Sequence, residues 1–152
     1  AVRRELAHLE KKGLVAKEPR GNRLYYAMRR DYTLYNELTD IFAKTRGLGF
    51  DILKNRVKLG RIKFASLSGR FARHLPKIDA EQVDVLIIGE VVLPELALLI
   101  RAEEARRGEE INYTVMTEEE FGFRKKRRDP FIVSILSGSR VMLIGDEEEL
   151  LR

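Results

Sequence analysis

Residues 83–88, VDVLII, read as a half-buried strand. Residues 93–107 follow it behind Pro94 with the period of a helix, placing Leu96, Leu99, Ile100 and Glu103 at helical spacings. A second strand-like run covers residues 111–116. Upstream, residues 61–67 (RIKFASL) alternate as a strand does, and residues 140–144 supply a last strand. Thr117, followed three residues later by Glu120, is a capping box that opens a helix over residues 117–121. Pro130 opens another over residues 130–137. Strands and helices therefore interleave, which excludes an all-α or an all-β chain and predicts an α+β fold with a mixed sheet.

The first third has a different pattern. Val2, Leu6 and Leu9 mark one face of a helix that stops at Gly13. Val15 and Leu24 flank a turn made by Pro19, Arg20, Gly21 and Asn22, which predicts a β-hairpin. Residues 32–46 form an amphipathic helix, with Leu34, Leu38, Ile41 and Phe42 on one side. Gly47 and Gly49 break it, and residues 50–59 are expected to be one short helix. This gives a first domain over residues 1–46, a second over 50–145, and an acidic tail over 146–152.

Charge divides along the same line. Residues 1–75 hold 18 Lys/Arg against 7 Asp/Glu, whereas residues 76–152 hold 11 against 17. A basic half joined to an acidic half predicts a nucleic-acid partner at the basic end. With no Cys, disulfides, thiolate nucleophiles and Cys-held metals are excluded. No window has the length of a membrane span and no secretory signal is visible, so the expectation is a cytoplasmic protein with no membrane partner. The chain opens on Ala1 with residues that look like mid-helix, so further residues are expected upstream. The charged fraction of 35% and the absence of Cys and Trp suit a thermophilic or archaeal cell.

Phosphate contacts need cations projecting from a rigid element, and base contacts need donors at the exposed start of a helix. Arg3 and Arg4 sit early on the first helix, Lys11 and Lys12 late, and Arg20, Asn22 and Arg23 crown the hairpin. The competing reading is that these cations only solvate a face. His8 has no partner at metal-ligand spacing. Residues 2–28, VRRELAHLEKKGLVAKEPRGNRLYYAM, resemble the arsenic-repressor-like winged helix-turn-helix family through the R-x-L-x-x-L-x-x-x-G-L-V run, the basic wing and the closing Tyr25-Tyr26 strand. The resemblance covers residues 1–46, lacks the fold's upstream helices, and implies a recognition helix in the major groove with a wing over the backbone. Its DNA-binding residues would be Arg3, Arg4, Lys11, Arg20, Asn22 and Arg23. It also implies a homodimer through the helix at 32–46; the alternative is that this helix covers the second domain.

In the second half, Leu67, Gly69, Phe71, Ala72 and Arg73 run on to Asp84, Leu86, Ile87, Ile88 and Gly89. These residues, with 109–121 (EEINYTVMTEEEF) and 129–145 (DPFIVSILSGSRVMLIG), resemble the minimal nucleotidyltransferase family. That family implies a Gly-Ser pair for phosphate and an Asp-x-Asp pair plus a third carboxylate for two metal ions. Here Arg70 stands for the Ser, Gln82 for the first Asp, and Asn112 for the third carboxylate; only Asp84 remains. A neutral amide does not balance a divalent cation. Gly69, Arg70, Gln82 and Asp84 are thus a degenerate nucleotide site, with no catalytic residue, no metal and no cofactor expected. Arg70 keeps open the binding of a nucleotide or another anion. Asp84 is expected as a strand-end residue facing solvent, and residues 124–128 (RKKRR) as a solvated loop balanced by Glu118, Glu119 and Glu120, or as an extension of the DNA footprint.

The expectation is a regulator that binds double-stranded DNA through a partial winged helix, with a small inactive nucleotidyltransferase-like α/β domain for dimerisation, partner or ligand binding. The alternatives are a Mg²⁺-dependent nucleotidyltransferase targeted by the winged helix, and an antitoxin-like partner protein.

Overall fold

The computed structural model describes residues 1–152. Contacts divide it into two units, residues 1–39 and 40–152. The division falls inside a helix rather than at the two glycines.

In the first unit, helix α1 (Val2–Lys11) leads into strands β1 (Val15–Arg20) and β2 (Arg23–Met28). The strands pair antiparallel, with Val15 opposite Met28 and Arg20 opposite Arg23, so Gly21 and Asn22 form a two-residue turn. Gly21 has φ +62, the left-handed value such a turn requires. The N–H of Arg29 donates to the Leu14 carbonyl (2.9 Å). None of α1 is buried, and β1 and β2 are mostly exposed.

Helix α2 (Tyr35–Thr45) crosses the division. It starts later than the periodicity predicts, because residues 32–34 form a turn in which the Tyr35 N–H donates to the Tyr32 carbonyl.

The second unit opens with α3 (Gly47–Lys54) and α4 (Arg56–Leu59). One helix over 50–59 is therefore a misreading. Asn55 leaves helical geometry (φ −101, ψ 18) and its side-chain amide donates to the Asp51 carbonyl. Of the two glycines only Gly47, left-handed (φ +63) at the junction, acts as a breaker. Gly47 begins α3, and Gly49 lies within it where a Cβ would run into the Ala43 carbonyl.

Strand β3 (Gly60–Ser68) continues into α5 (Gly69–Ala72). After a loop come β4 (Val85–Val91), α6 (Leu93–Arg107), β5 (Tyr113–Met116), α7 (Glu118–Lys126), α8 (Pro130–Ser137), β6 (Arg140–Ile144) and α9 (Glu147–Leu151). The sheet order is β5-β4-β3-β6; β4 and β5 are parallel and the other pairs antiparallel. The fold is α+β with a mixed sheet.

Alternation in β4 explains the layering. Val85 and Ile87 join Leu48, Ile52, Leu96 and Ile100 on one face. Leu86 and Ile88 join Phe121, Ile132 and Leu150 on the other. With both faces covered, residues 85–88 are apolar throughout. Each such buried side chain contributes on the order of 2 kcal/mol by area.

Local signals set several boundaries. Thr117 Oγ1 accepts from the Glu120 N–H (3.1 Å), half of the expected capping box. The Glu120 carboxylate instead pairs with Arg124 (2.9 Å). Asp129 caps α8 and Asp146 caps α9 in the same manner. Residues 146–152 are therefore not a solvated tail. Leu150 is fully buried and completes the second core cluster.

Candidate functional site

Two groups of residues carry the functional expectations. The first lies in residues 1–39. Arg20, Asn22 and Arg23 gather at the hairpin tip, since Arg20 and Arg23 are register partners. Arg20 is held there: its guanidinium meets Glu18 (3.0 Å) and lies over the Tyr25 ring, 5.4 Å from the centroid. On α1, Arg4, His8 and Lys11 are separated by four and then three residues, which places them along one side of the helix. Arg3 and Lys11 are roughly 12 Å apart along the axis at 1.5 Å per residue.

Acids neutralise part of this charge. Lys17 meets Glu10 (3.3 Å) and Arg29 meets Asp31 (2.6 Å). Arg3, Arg4, Lys11, Lys12, Arg23 and Arg30 have no acidic partner. They present uncompensated positive charge to solvent.

The second group surrounds Asp84. Gly69 starts α5, and its N–H donates to the Ser139 carbonyl (2.9 Å). A Cβ at Gly69 would run into Ser139 Oγ, so this glycine permits a close approach to the turn before β6. Ser68 Oγ accepts from the Phe71 N–H and caps α5. Arg70 Nε donates to the Pro76 carbonyl (2.8 Å) and fastens the loop after α5.

Two expectations are corrected here. Asp84 does not face solvent; it is 2% exposed. It also precedes β4, and Gln82 lies in the loop, so the two do not share the face of a strand. The Asp84 carboxylate accepts from the Asn112 N–H (2.9 Å) and lies 3.1 Å from Lys77 Nζ. Its own N–H donates to the Asn112 carbonyl, and its carbonyl accepts from the Ser68 N–H. These bonds tie the starts of β4 and β5 and the end of β3 together.

Asn112 does come close to Asp84, but its side chain is committed. Its amide nitrogen donates to the carbonyls of Ala80 (2.7 Å) and Gln82 (2.9 Å). Gln82 Oε1 accepts from the Ile78 N–H, and Asp79 Oδ1 from the Glu81 N–H. Lys77 was not anticipated, because nothing in the spacing shows that the loop returns it to Asp84.

This donor set does not fit two divalent cations. One carboxylate is present where three are needed, and a lysine ammonium already balances it. No three His, Asp or Glu side chains converge as a metal site requires.

A third cluster lies close by on the same unit. Glu103 is buried and accepts from Arg106 Nε (2.7 Å) and Arg107 Nε (3.1 Å). Burial would raise its pKa, but the two guanidinium bonds outweigh burial and hold the carboxyl below its usual value. Arg107 also donates to the Phe71 carbonyl and covers the Phe71 ring at 3.7 Å. His74, with φ +56, has its pKa lowered by burial and then by the Arg107 charge.

Residues 124–128 are not a loop. Residues 124–126 end α7, and 127–128 form the turn behind it.

Comparison with protein-family models, with curated proteins and with solved structures found no match to this chain.

Proposed function

We propose that this chain is a DNA-binding regulator. Residues 1–39 contact double-stranded DNA, and residues 40–152 serve dimerisation, partner or ligand binding without catalysis. What carries the reading is the helix and hairpin whose exposed Arg3, Arg4, Lys11 and Arg23 have no acidic partner. A two-residue turn holding Asn22 between two arginines suits a wing that follows a phosphate backbone. The arsenic-repressor-like winged helix is the fold this reading invokes.

The non-catalytic reading of the second unit is supported by the engagement of Asp84 with Lys77 and Asn112, and of Arg70 with Pro76. A homodimer belongs to the same proposal. Ile41 and Phe42 of α2 are about half exposed and offer an apolar surface.

The test is binding to duplex DNA across a salt series. Affinity is expected to fall linearly in logarithmic coordinates as salt rises, because phosphate neutralisation releases counterions. Reversing Arg20 and Arg23 to Glu weakens binding on every duplex. Unchanged binding removes the hairpin from the interface. Titration with ATP, with and without Mg²⁺, checks the second unit: metal-dependent binding overturns the non-catalytic reading.

A further inference from the structure

Residues 124–128 are five consecutive cations, and the structure sorts them. Arg124 meets Glu120 (2.9 Å) and Asp129 (3.8 Å). Lys125 turns inward, donating from Nζ to the Leu150 carbonyl (2.8 Å). Its pKa is lowered by burial. These two cations serve the fold.

The other three do not. Lys126, Arg127 and Arg128 are exposed and have no acidic partner. Cations in a last helical turn complement the helix dipole, which accounts for a preference there but not for three uncompensated charges in a row. Arg128 has φ +52, a left-handed conformation in which Gly or Asn is the easy choice. An arginine stands at that position, and no neighbouring acid pairs with it.

Beside them is an exposed aromatic ring. Phe123 is 58% exposed, and the Arg127 guanidinium lies over it at 5.3 Å from the centroid. Phe123 and Arg127 line a groove of about 570 Å³ with Arg124 and Pro130; Glu120 and Asp129, the other two lining residues, are the acids that Arg124 engages. A solvent-facing ring next to free cations is the combination that holds a single nucleic-acid strand. Bases stack on the ring and phosphates meet the cations.

We infer that the Phe123–Arg128 surface binds single-stranded nucleic acid, with Phe123 as the stacking platform and Lys126, Arg127 and Arg128 as phosphate contacts. This surface lies wholly within residues 40–152 and is independent of the duplex contacts proposed for residues 1–39.

Fluorescence anisotropy of the full chain with labelled oligonucleotides of about 15 nucleotides, across a salt series, tests it. The probes are oligo-dT, oligo-U and a duplex. Single-strand binding at low salt is expected, and the ratio of oligo-dT to oligo-U affinity identifies which backbone is preferred. The triple variant K126Q/R127Q/R128Q lowers the single-strand salt slope by about 2, since each phosphate contact accounts for about 0.7. Phe123→Ala weakens single-strand binding roughly tenfold with little change in slope, the loss expected for one stacked base. Both substitutions are at exposed positions, and the circular dichroism spectrum checks that each variant is folded. Duplex binding is expected to be unchanged in both variants and weakened by the Arg20 and Arg23 reversals. Two outcomes overturn the proposal: no single-strand binding by the parent chain, or single-strand binding that survives both variants intact.

Discussion

A carboxylate enclosed as fully as Asp84 must be matched, and the matching groups are the Lys77 ammonium and the Asn112 N–H. Removing the acid strands the Asn112 N–H and leaves the Lys77 ammonium with the Glu110 carbonyl alone. Asp84→Ala is expected to cost about 2–4 kcal/mol, because a partly buried ammonium and a buried donor lose the carboxylate. Urea unfolding measures this, and a loss within error would show that the contact is incidental. Gly69→Ala tests the neighbouring contact. The added Cβ meets Ser139 and is expected to cost about 1–3 kcal/mol by overpacking. The sequence made Gly69, Arg70, Asp84 and Asn112 visible as a set, and the fold does bring Asp84 and Asn112 together. What it hid was their occupation. That Arg70 reaches the Pro76 carbonyl, and that Lys77 returns to Asp84, depends on how the loop over residues 73–84 closes. No local spacing encodes a loop closure.

At the scale of elements, the legible parts are those with local punctuation. Helix α6 (Leu93–Arg107) begins with Pro at its first turn, α8 (Pro130–Ser137) likewise, and β6 is a short β-branched and aliphatic run; all three lie at the predicted bounds. The misread elements turn on single side chains. The split between α3 and α4 rests on Asn55 bonding back to Asp51. Helix α9 shows three acids and a half-exposed Leu151 on its surface, and one side chain, Leu150, decides its fate. Leu150→Ala should therefore act as a core truncation at a site that looks like a charged tail. The expected loss is about 2–4 kcal/mol, or several degrees in Tm for a chain of this size. Calorimetry measures it, and a shift below one degree would mean that α9 is not part of the core.

At the scale of the whole molecule, acid is expected to destabilise the chain in two stages. His74 has a folded pKa below its ordinary 6.5, so its contribution is complete above that pH and is lost as pH falls through the folded value. Glu103 is held below its ordinary 4.5, so its contribution is complete above 4.5 and is lost at still lower pH. Urea midpoints should fall gently below pH 6.5 and more steeply below 4.5. Glu103→Gln should flatten the second stage, and an unaltered profile would contradict the role given to the Arg106 and Arg107 bonds. The order β5-β4-β3-β6 also has a consequence for synthesis. Strand β3 is flanked by β4, its next strand in sequence, and by β6, which is made only after residue 139. A nascent chain halted before that point exposes one rim of β3, with its unpaired N–H and C=O groups, to other chains on the same polysome. The half-made product, more than the finished protein, is the form that a chaperone must shield.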